Sequence, residues 1–395
     1  MSADPVVILA ARRTPVGAFQ GIFSSTTAPQ LGAAAIKAAV ADSGVAPAEV
    51  DEVFMGCVLP AGLGQAPARQ AAIGAGIPPG TPSTTVNKMC GSGMRTVMMA
   101  ADQIRAGSGN VMVAGGLESM TNAPYVLPKA RAGYRMGNQE VLDHMFYDGL
   151  QSPWDGQLMG CFAEATSAQY GFTRRAQDDF ASESVRRAQA AVSSGAFAQE
   201  VAPVTAKSRK GEVVVVTDET PGTLDISKIA GLKPAFKKDG TVTAASSAGI
   251  SDGAAALVLA RASHAESRGL KPLARIVAYS SFAREPEWFT LAPVGAIDKV
   301  LKQAGWKAAD VDLYEINEAF AVVTMAAMKD LGLDHAKVNV NGGACALGHP
   351  IGATGARILT TLIYALKNRG KQRGVASLCI GGGEATAIAV ERMVH

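Results

Sequence analysis

Four side chains in this sequence combine reactive chemistry with a setting that could expose it. They are Cys90 in VNKMCGSGMR, Asn317 in YEINEAF, His349 in GHPIGATGAR and Cys379 in SLCIGGG. Apolar residues follow Cys90 at 94, 97, 98, 101 and 104, a helical spacing that puts the thiol at or just before a helix N-terminus. Free N–H groups and the positive dipole end there are expected to lower the thiol pKa and favour the nucleophilic thiolate. The plainer reading is a buried structural cysteine. Proline follows His349 and glycines flank it, which favours an extended loop that a ligand can approach closely. A loop histidine with a satisfied hydrogen bond fits the same letters. Cys379 ends an apolar strand before three glycines. Their N–H groups can form a nest for an oxyanion, or the cysteine can be a strand-end core residue. Asn317 can cap a helix, hold a water or donate to an oxyanion. Two thiols with one histidine suggest separate acyl-transfer and proton-transfer tasks rather than a hydrolase triad.

Other chemistries have less behind them. Cys345 and His349 lie four apart, but no CxxC or paired-His spacing supports a metal centre. The GGG run lacks the Lys-Ser/Thr of a phosphate loop and no GxGxxG occurs, which disfavours nucleotide hydrolysis and dinucleotide binding.

The elements that must position these residues read as α/β layers. VVILAARR is a buried strand, LGAAAIKAAVADSG a helix ending at Gly44, and EVDEVFMGCV the next strand. The order recurs as ARIVAYSS, VGAIDKVLKQAG and DVDLYEINEAF. Ile36, Gly44, Ala48, Val50 and Asp51 correspond to Ile297, Gly305, Ala309, Val311 and Asp312 at a constant offset. CGSGMR parallels HPIGATGAR, and VMVAGGLES parallels SLCIGGGEA. Two similar halves packed as a pseudo-dimer are therefore expected. The first half spans 1–119 and 249–270, the second 271–395. Between them, 120–248 is a basic and polar insertion, expected as a lobe over the strand ends where open α/β sheets bind ligands.

A chain of 395 residues suits two or three domains, and 48% apolar residues allow a large core. The net charge of +3, without a Lys/Arg block, argues against nucleic acid as a partner. Five widely spaced cysteines point to free thiols in a reducing compartment. MSADPVVILAARR does not read as a signal peptide, and no apolar run approaches the roughly 18–20 residues of a membrane span. A soluble cytoplasmic protein is expected.

Together VNKMCGSGM, GLESM, NEAFA, NGGACALGHPIGATGAR and SLCIGGG resemble the thiolases, along essentially the whole chain. That resemblance implies a five-layered α-β-α-β-α fold and reversible Claisen condensation of two acetyl-CoA to acetoacetyl-CoA, or thiolysis of 3-ketoacyl-CoA. It implies Cys90 as the nucleophile carrying the acyl group, His349 as acceptor of its proton, and Cys379 as the base at the α-carbon. His349 with a water on Asn317 would form one oxyanion hole, and the N–H groups of Cys90 and Gly381 the other. Substrate contacts would fall on Leu158, Met159, Phe236, Ser247, Ala248, Gly249, Ala319 and Phe320. Coenzyme A would be a substrate, with no tightly bound cofactor or metal, and the assembly a homodimer or homotetramer. In LMGCFAEA, Leu158, Phe162 and Ala165 replace the histidine, threonine and asparagine common in short-chain members, along a wall near the acyl and pantetheine region. In SSAG the serine that contacts pantetheine becomes Ala248, with Ser247 beside it. DETPGTLD is shortened and lacks an arginine common near the nucleotide end. The alternatives are a decarboxylating ketoacyl-synthase-like enzyme, which would pair its cysteine with two histidines or with histidine and asparagine, and a non-catalytic acyl-CoA or lipid carrier.

Overall fold

The computed structural model describes residues 4–208 and 211–395; the first residues of the MSADP opening lie outside them. The first half runs β1 (Val6–Arg13), α1 (Ala28–Ser43), β2 (Glu52–Gly56), α2 (Pro67–Gly74), β3 (Ser83–Val86), α3 (Ser92–Ala106) and β4 (Val111–Ser119). The chain then leaves the sheet through α4 (Met159–Tyr170) and α5 (Arg174–Ser193), and returns as β5 (Ser251–Arg261). The second half runs β6 (Ala274–Ala283), α6 (Ala292–Ala304), β7 (Leu313–Ile316), α7 (Ala321–Leu331), α8 (Thr354–Asn368), β8 (Arg373–Ile380) and β9 (Glu384–Arg392).

The strands form one sheet in the order β7-β8-β9-β6-β1-β5-β4-β2-β3. The halves join edge to edge where Val7 pairs with Arg275 and Ile8 with Ala274. In the first half β2 runs parallel to β3 and β4, and in the second β7 runs parallel to β8. Where the first half has β3, the second has a single bridge between Tyr314 and Val338. Helices α3 and α8 occupy the middle, their apolar faces sharing one core with β1, β5 and β8. Helices α1 and α2 cover the outside of the first half, and α6 the outside of the second. Five layers result. The residues at 94, 97, 98, 101 and 104 all face the central core, as their spacing predicts.

The repeat is physical as well as textual. Gly44 and Gly305 each end a helix in the left-handed region, with φ of 74° and 68°. Asp51 accepts from the N–H groups of Asn110 and Val111, and Asp312 from those of Gln372 and Arg373. Each aspartate thereby fixes the start of its half's central strand.

The insertion is anchored to both halves. Arg13 on β1 is fully buried, bonded to Glu200 at 2.5 Å and bidentate to Asp218 at 2.7 and 2.9 Å. Removing one partner of such a cluster costs about 3–5 kcal/mol, because the other charge stays buried. Helix α5 packs through Val185, Ala188 and Ala191 against Ala346 and Leu347, next to the His349 loop.

Candidate active site

Cys90 lies two residues ahead of α3, between the strained Met89 (φ 47°) and Gly91. The small residues of CGSGMR and GATGAR let two helix starts meet. A Cβ on Gly355 would stand 2.4 Å from Met94 N, and one on Gly93 would stand 3.0 Å from Ala356 N. Either would separate the halves. Gly91 serves the third approach, since a Cβ there would stand 2.3 Å from Ile380, the residue after Cys379. The Cys90 turn thus packs on the strand end after Cys379, and the start of α3 on the helix that follows the His349 loop.

The backbone N–H groups of Gly381 and of Cys90 itself act to lower the Cys90 thiol. Those two donors are the pair expected for an oxyanion. The expectation of a lowered thiol pKa is corrected, because burial outweighs both and pushes Cys90 up to about 11. Cys379 is completely buried among Phe162, Ala319, Phe320 and Val323. Burial first, and then the nearby charge of Cys90, push its thiol well above the ordinary range. Each thiol therefore opposes ionisation of the other.

His349 is buried, and its protonation state follows from its neighbours. Thr354 Oγ1 donates to Pro350 O at 2.9 Å, so the same oxygen accepts from His349 Nδ1–H at 2.7 Å. Nε2 then carries the lone pair, and it has no partner. Burial, reinforced by the Arg357 charge, lowers the imidazole to about 3. The ring is a neutral base with its free nitrogen available. Both polar atoms of the Asn317 side chain are also buried without partners. Asn317 is not the cap that its position before a helix suggested, because α7 starts at Ala321 with Phe320 at the cap position. A buried, uncommitted amide costs free energy unless a ligand or water engages it.

The remaining sequence-predicted residues form one side of this region. Met159 lines a cavity of about 420 Å³ together with Met89, Gly381, Gly382, Tyr147, Gly149 and Trp154. Phe236 meets Phe320 edge-on at 5.8 Å. Ala248 N–H donates to Ala319 O, and His349 N–H to Gly249 O, both at 3.0 Å. The Ser247 hydroxyl donates to Thr243 O at 2.7 Å, so it offers a substrate lone pairs rather than a proton. Leu158 precedes α4 and bridges to Gln151. Phe162 packs in the Cys379 cluster, whereas Ala165 is exposed on α4.

Family models described as "Thiolase, N-terminal domain" and "Thiolase, C-terminal domain" match residues 6–263 and 270–392. The chain belongs to the thiolase family. It is 50% identical to an acetyl-CoA acetyltransferase of Cupriavidus necator over 391 residues, 98% of this chain and 99% of that one. An acetyl-CoA acetyltransferase of Escherichia coli is also 50% identical, over 98% of this chain and 99% of its own. The crystal structure of the Bacillus anthracis acetyl-CoA acetyltransferase superposes with a TM-score of 0.97 at 44% identity, covering 99% of each chain.

Sequence reasoning about this thiolase missed two supports. Glu118 in GLESM accepts from the N–H groups of Val58, Leu59 and Gly352 at 3.0, 3.1 and 2.8 Å, tying the His349 loop to the first half. Burial pushes this carboxyl up to about 7. A lone acid ending an apolar strand was the available signal. In return, Glu384 of the second half pairs with Lys88 beside Cys90. The other missed residue is Thr354, which fixes the His349 tautomer. Thr354→Val is expected to lower the rate of acyl-enzyme formation by about 10–100-fold, while Thr354→Ser restores it, because tautomer control is lost with the hydroxyl. Stopped-flow acylation separates the two variants, and an unimpaired valine variant would contradict the role.

The depressed histidine also sets an acid limit to stability. An unfolded His349 takes up a proton below its ordinary 6.5, but the folded one only near 3. The unfolded state binds more protons in that window, so stability present above 6.5 is lost as pH falls through it, by up to about 1.4 kcal/mol per pH unit. His349→Asn should show a shallower decline of its urea midpoint between those values. An unchanged slope would place the acid sensitivity elsewhere.

Proposed function

We propose that this protein is an acetyl-CoA C-acetyltransferase, joining two acetyl-CoA to acetoacetyl-CoA and free CoA, and running thiolysis in reverse. One observation carries the residue roles: Gly91 lies so close to Ile380 that a Cβ would stand 2.3 Å from it, which sets the Cys90 turn against the strand end that holds the second thiol. Cys90 gives its proton to His349 Nε2 and its sulfur attacks the thioester carbonyl. The C–S bond to CoA breaks, and the CoA thiolate leaves with the histidine's proton. The oxygen that becomes negative in this step lies over the N–H groups of Cys90 and Gly381. Acylation turns Cys90 into a thioester that cannot ionise, so no charge there can hold Cys379 up. Cys379 first loses its own proton to solvent and, as thiolate, takes the α-proton of a second acetyl-CoA. The new carbanion attacks the Cys90 thioester, the C–S bond breaks, and the Cys379 proton passes to the Cys90 sulfur. The enolate oxygen is received by a water on Asn317, and by His349 only while its Nε2 holds a proton. Each oxyanion site contributes about 10²–10³-fold.

Coenzyme A acts as a substrate, and no other cofactor enters this scheme. Substrate contacts fall on Leu158, Met159, Phe236, Ser247, Ala248, Gly249, Ala319 and Phe320. The chain divides into halves 1–119 with 249–270 and 271–395, with 120–248 as the substrate lobe. No described helix is long and apolar enough to cross a membrane. A cytoplasmic homodimer or homotetramer is the working assignment. Among the described residues no cluster of three or more His, Cys, Asp or Glu side chains is arranged for a metal ion. The second thiol separates this reading from a decarboxylating synthase, which would need a second histidine or an asparagine at Cys379. Uncommitted polar atoms on His349 and Asn317 argue against a passive carrier. The test is thiolysis of acetoacetyl-CoA by free CoA, followed by loss of the enolate absorbance. No turnover at millimolar CoA would overturn the assignment.

A further inference from the structure

The acyl group on Cys90 must lie beside an apolar cluster of Val58, Leu59, Met120, Met145 and Ile351, against which Met89 and Cys90 pack. Four chain segments supply this cluster. Glu118 bonds two of them together, the loop at 57–59 and the His349 loop at Gly352. The segment at Met145–Leu150 is outside that arrangement. It is a single π-helical turn, a conformation uncommon in proteins and concentrated at functional sites. Its Tyr147, Asp148 and Gly149 line the substrate cavity. Gly149 sits so close that a Cβ there would stand 3.3 Å from both Leu59 and Ile351. The turn is pressed against the acyl cluster.

One buried side chain joins this turn to the rest of the site. His144, 6% exposed, precedes the turn. Its Nε2 accepts from the Ala61 N–H at 3.4 Å, in the loop that follows Leu59. With Nε2 occupied as an acceptor, Nδ1 carries the proton and donates to Asp148 Oδ2 at 2.5 Å, four residues on and inside the turn. The imidazole thus bonds the 57–61 loop on one side and the cavity wall on the other. Its backbone N–H is fixed as well, donating to Pro124 O.

We propose that His144 is a positioning residue that clamps the π turn against Leu59 and Ile351, and thereby restricts the acyl group on Cys90 to a short chain. The inference rests on the thiolase reading of the same site. His144 touches neither sulfur; it acts through the wall. When the clamp is released, Gly149 and Met145 move off Leu59 and Ile351, and the space admits further methylenes. An apolar pocket discriminates by about 10–200-fold per methylene, which sets the scale of the effect.

The test compares thiolysis of acetoacetyl-CoA with that of 3-ketohexanoyl-CoA and 3-ketooctanoyl-CoA. In His144→Ala the ratio of kcat/KM for the longer substrates to that for acetoacetyl-CoA is expected to rise about tenfold or more. Asp148→Ala removes the other end of the clamp at a half-exposed position, and the same rise is expected. The double variant should show little further change, because both substitutions release one element. His144→Asn keeps a donor toward Asp148 but no acceptor for Ala61, and should fall between. If His144→Ala does not fold, Asp148→Ala and His144→Asn carry the comparison. An unchanged ratio in these variants, or an equal fall for every chain length, would overturn the clamp while leaving the enzyme reading intact. Absence of thiolysis by the unaltered protein would overturn both.

Discussion

Cys90→Ala is expected to abolish acyl transfer, lowering turnover by about 10⁴-fold or more, as loss of a covalent nucleophile does elsewhere. The expectation rests on geometry. Cys90 lies on the turn whose Gly91 packs against Ile380 across the junction of the halves. Cys57 and Cys345 are buried, Cys57 facing Glu118 and Cys345 facing the Glu318 carbonyl. Burial and those neighbours push both thiols up, and neither is arranged to replace the nucleophile. Intact-mass measurement after mixing with acetyl-CoA should show one acetyl group on the unaltered chain and none on the variant. An acetylated variant would move the nucleophile elsewhere.

Cys379→Ala should separate the two half-reactions. The variant still acylates, because Cys90, His349 and both donors of the first oxyanion site remain. Condensation should fall by about 10²–10⁴-fold, the usual contribution of a positioned acid–base group. Exchange of α-hydrogen from deuterated acetyl-CoA should fall in parallel, which distinguishes a missing base from a damaged pocket. Replacing a fully buried thiol with alanine leaves a small cavity between Phe162 and Phe320, so melting temperature should be recorded beside activity. Normal condensation and exchange would remove Cys379 from the mechanism.

Several structural features were legible in the letters because they depend on local constraints. The spacing after Cys90 gave α3, since a period near 3.6 can bury one face only as a helix. Gly44 and Gly305 marked helix ends because the left-handed region favours glycine. Asp51 and Asp312 were legible as partners in the repeat, though the paired backbone N–H groups that each accepts became visible only in three dimensions.

Other features depended on neighbours distant in sequence. The helix start beside Cys90 suggested a lowered thiol pKa, but burial by the second half reverses the sign. Asn317 looked like a cap, yet α7 begins at Ala321 and leaves the amide uncommitted. Ala165 seemed part of the acyl wall by its place in LMGCFAEA, but it is exposed on α4. His144 carried no signal at all, because its two partners lie on different segments.

The sequence alone determined the duplicated α/β plan, the candidate reactive residues and, through its motifs, the family. Those are properties of residue type, period and order, which a linear chain carries directly. Only the tertiary structure decided the protonation states of Cys90, Cys379 and His349, the tautomer that frees Nε2, and the clamp at His144. Each depends on desolvation or on a hydrogen bond between distant segments, and neither exists until the two halves and the insertion close around the site.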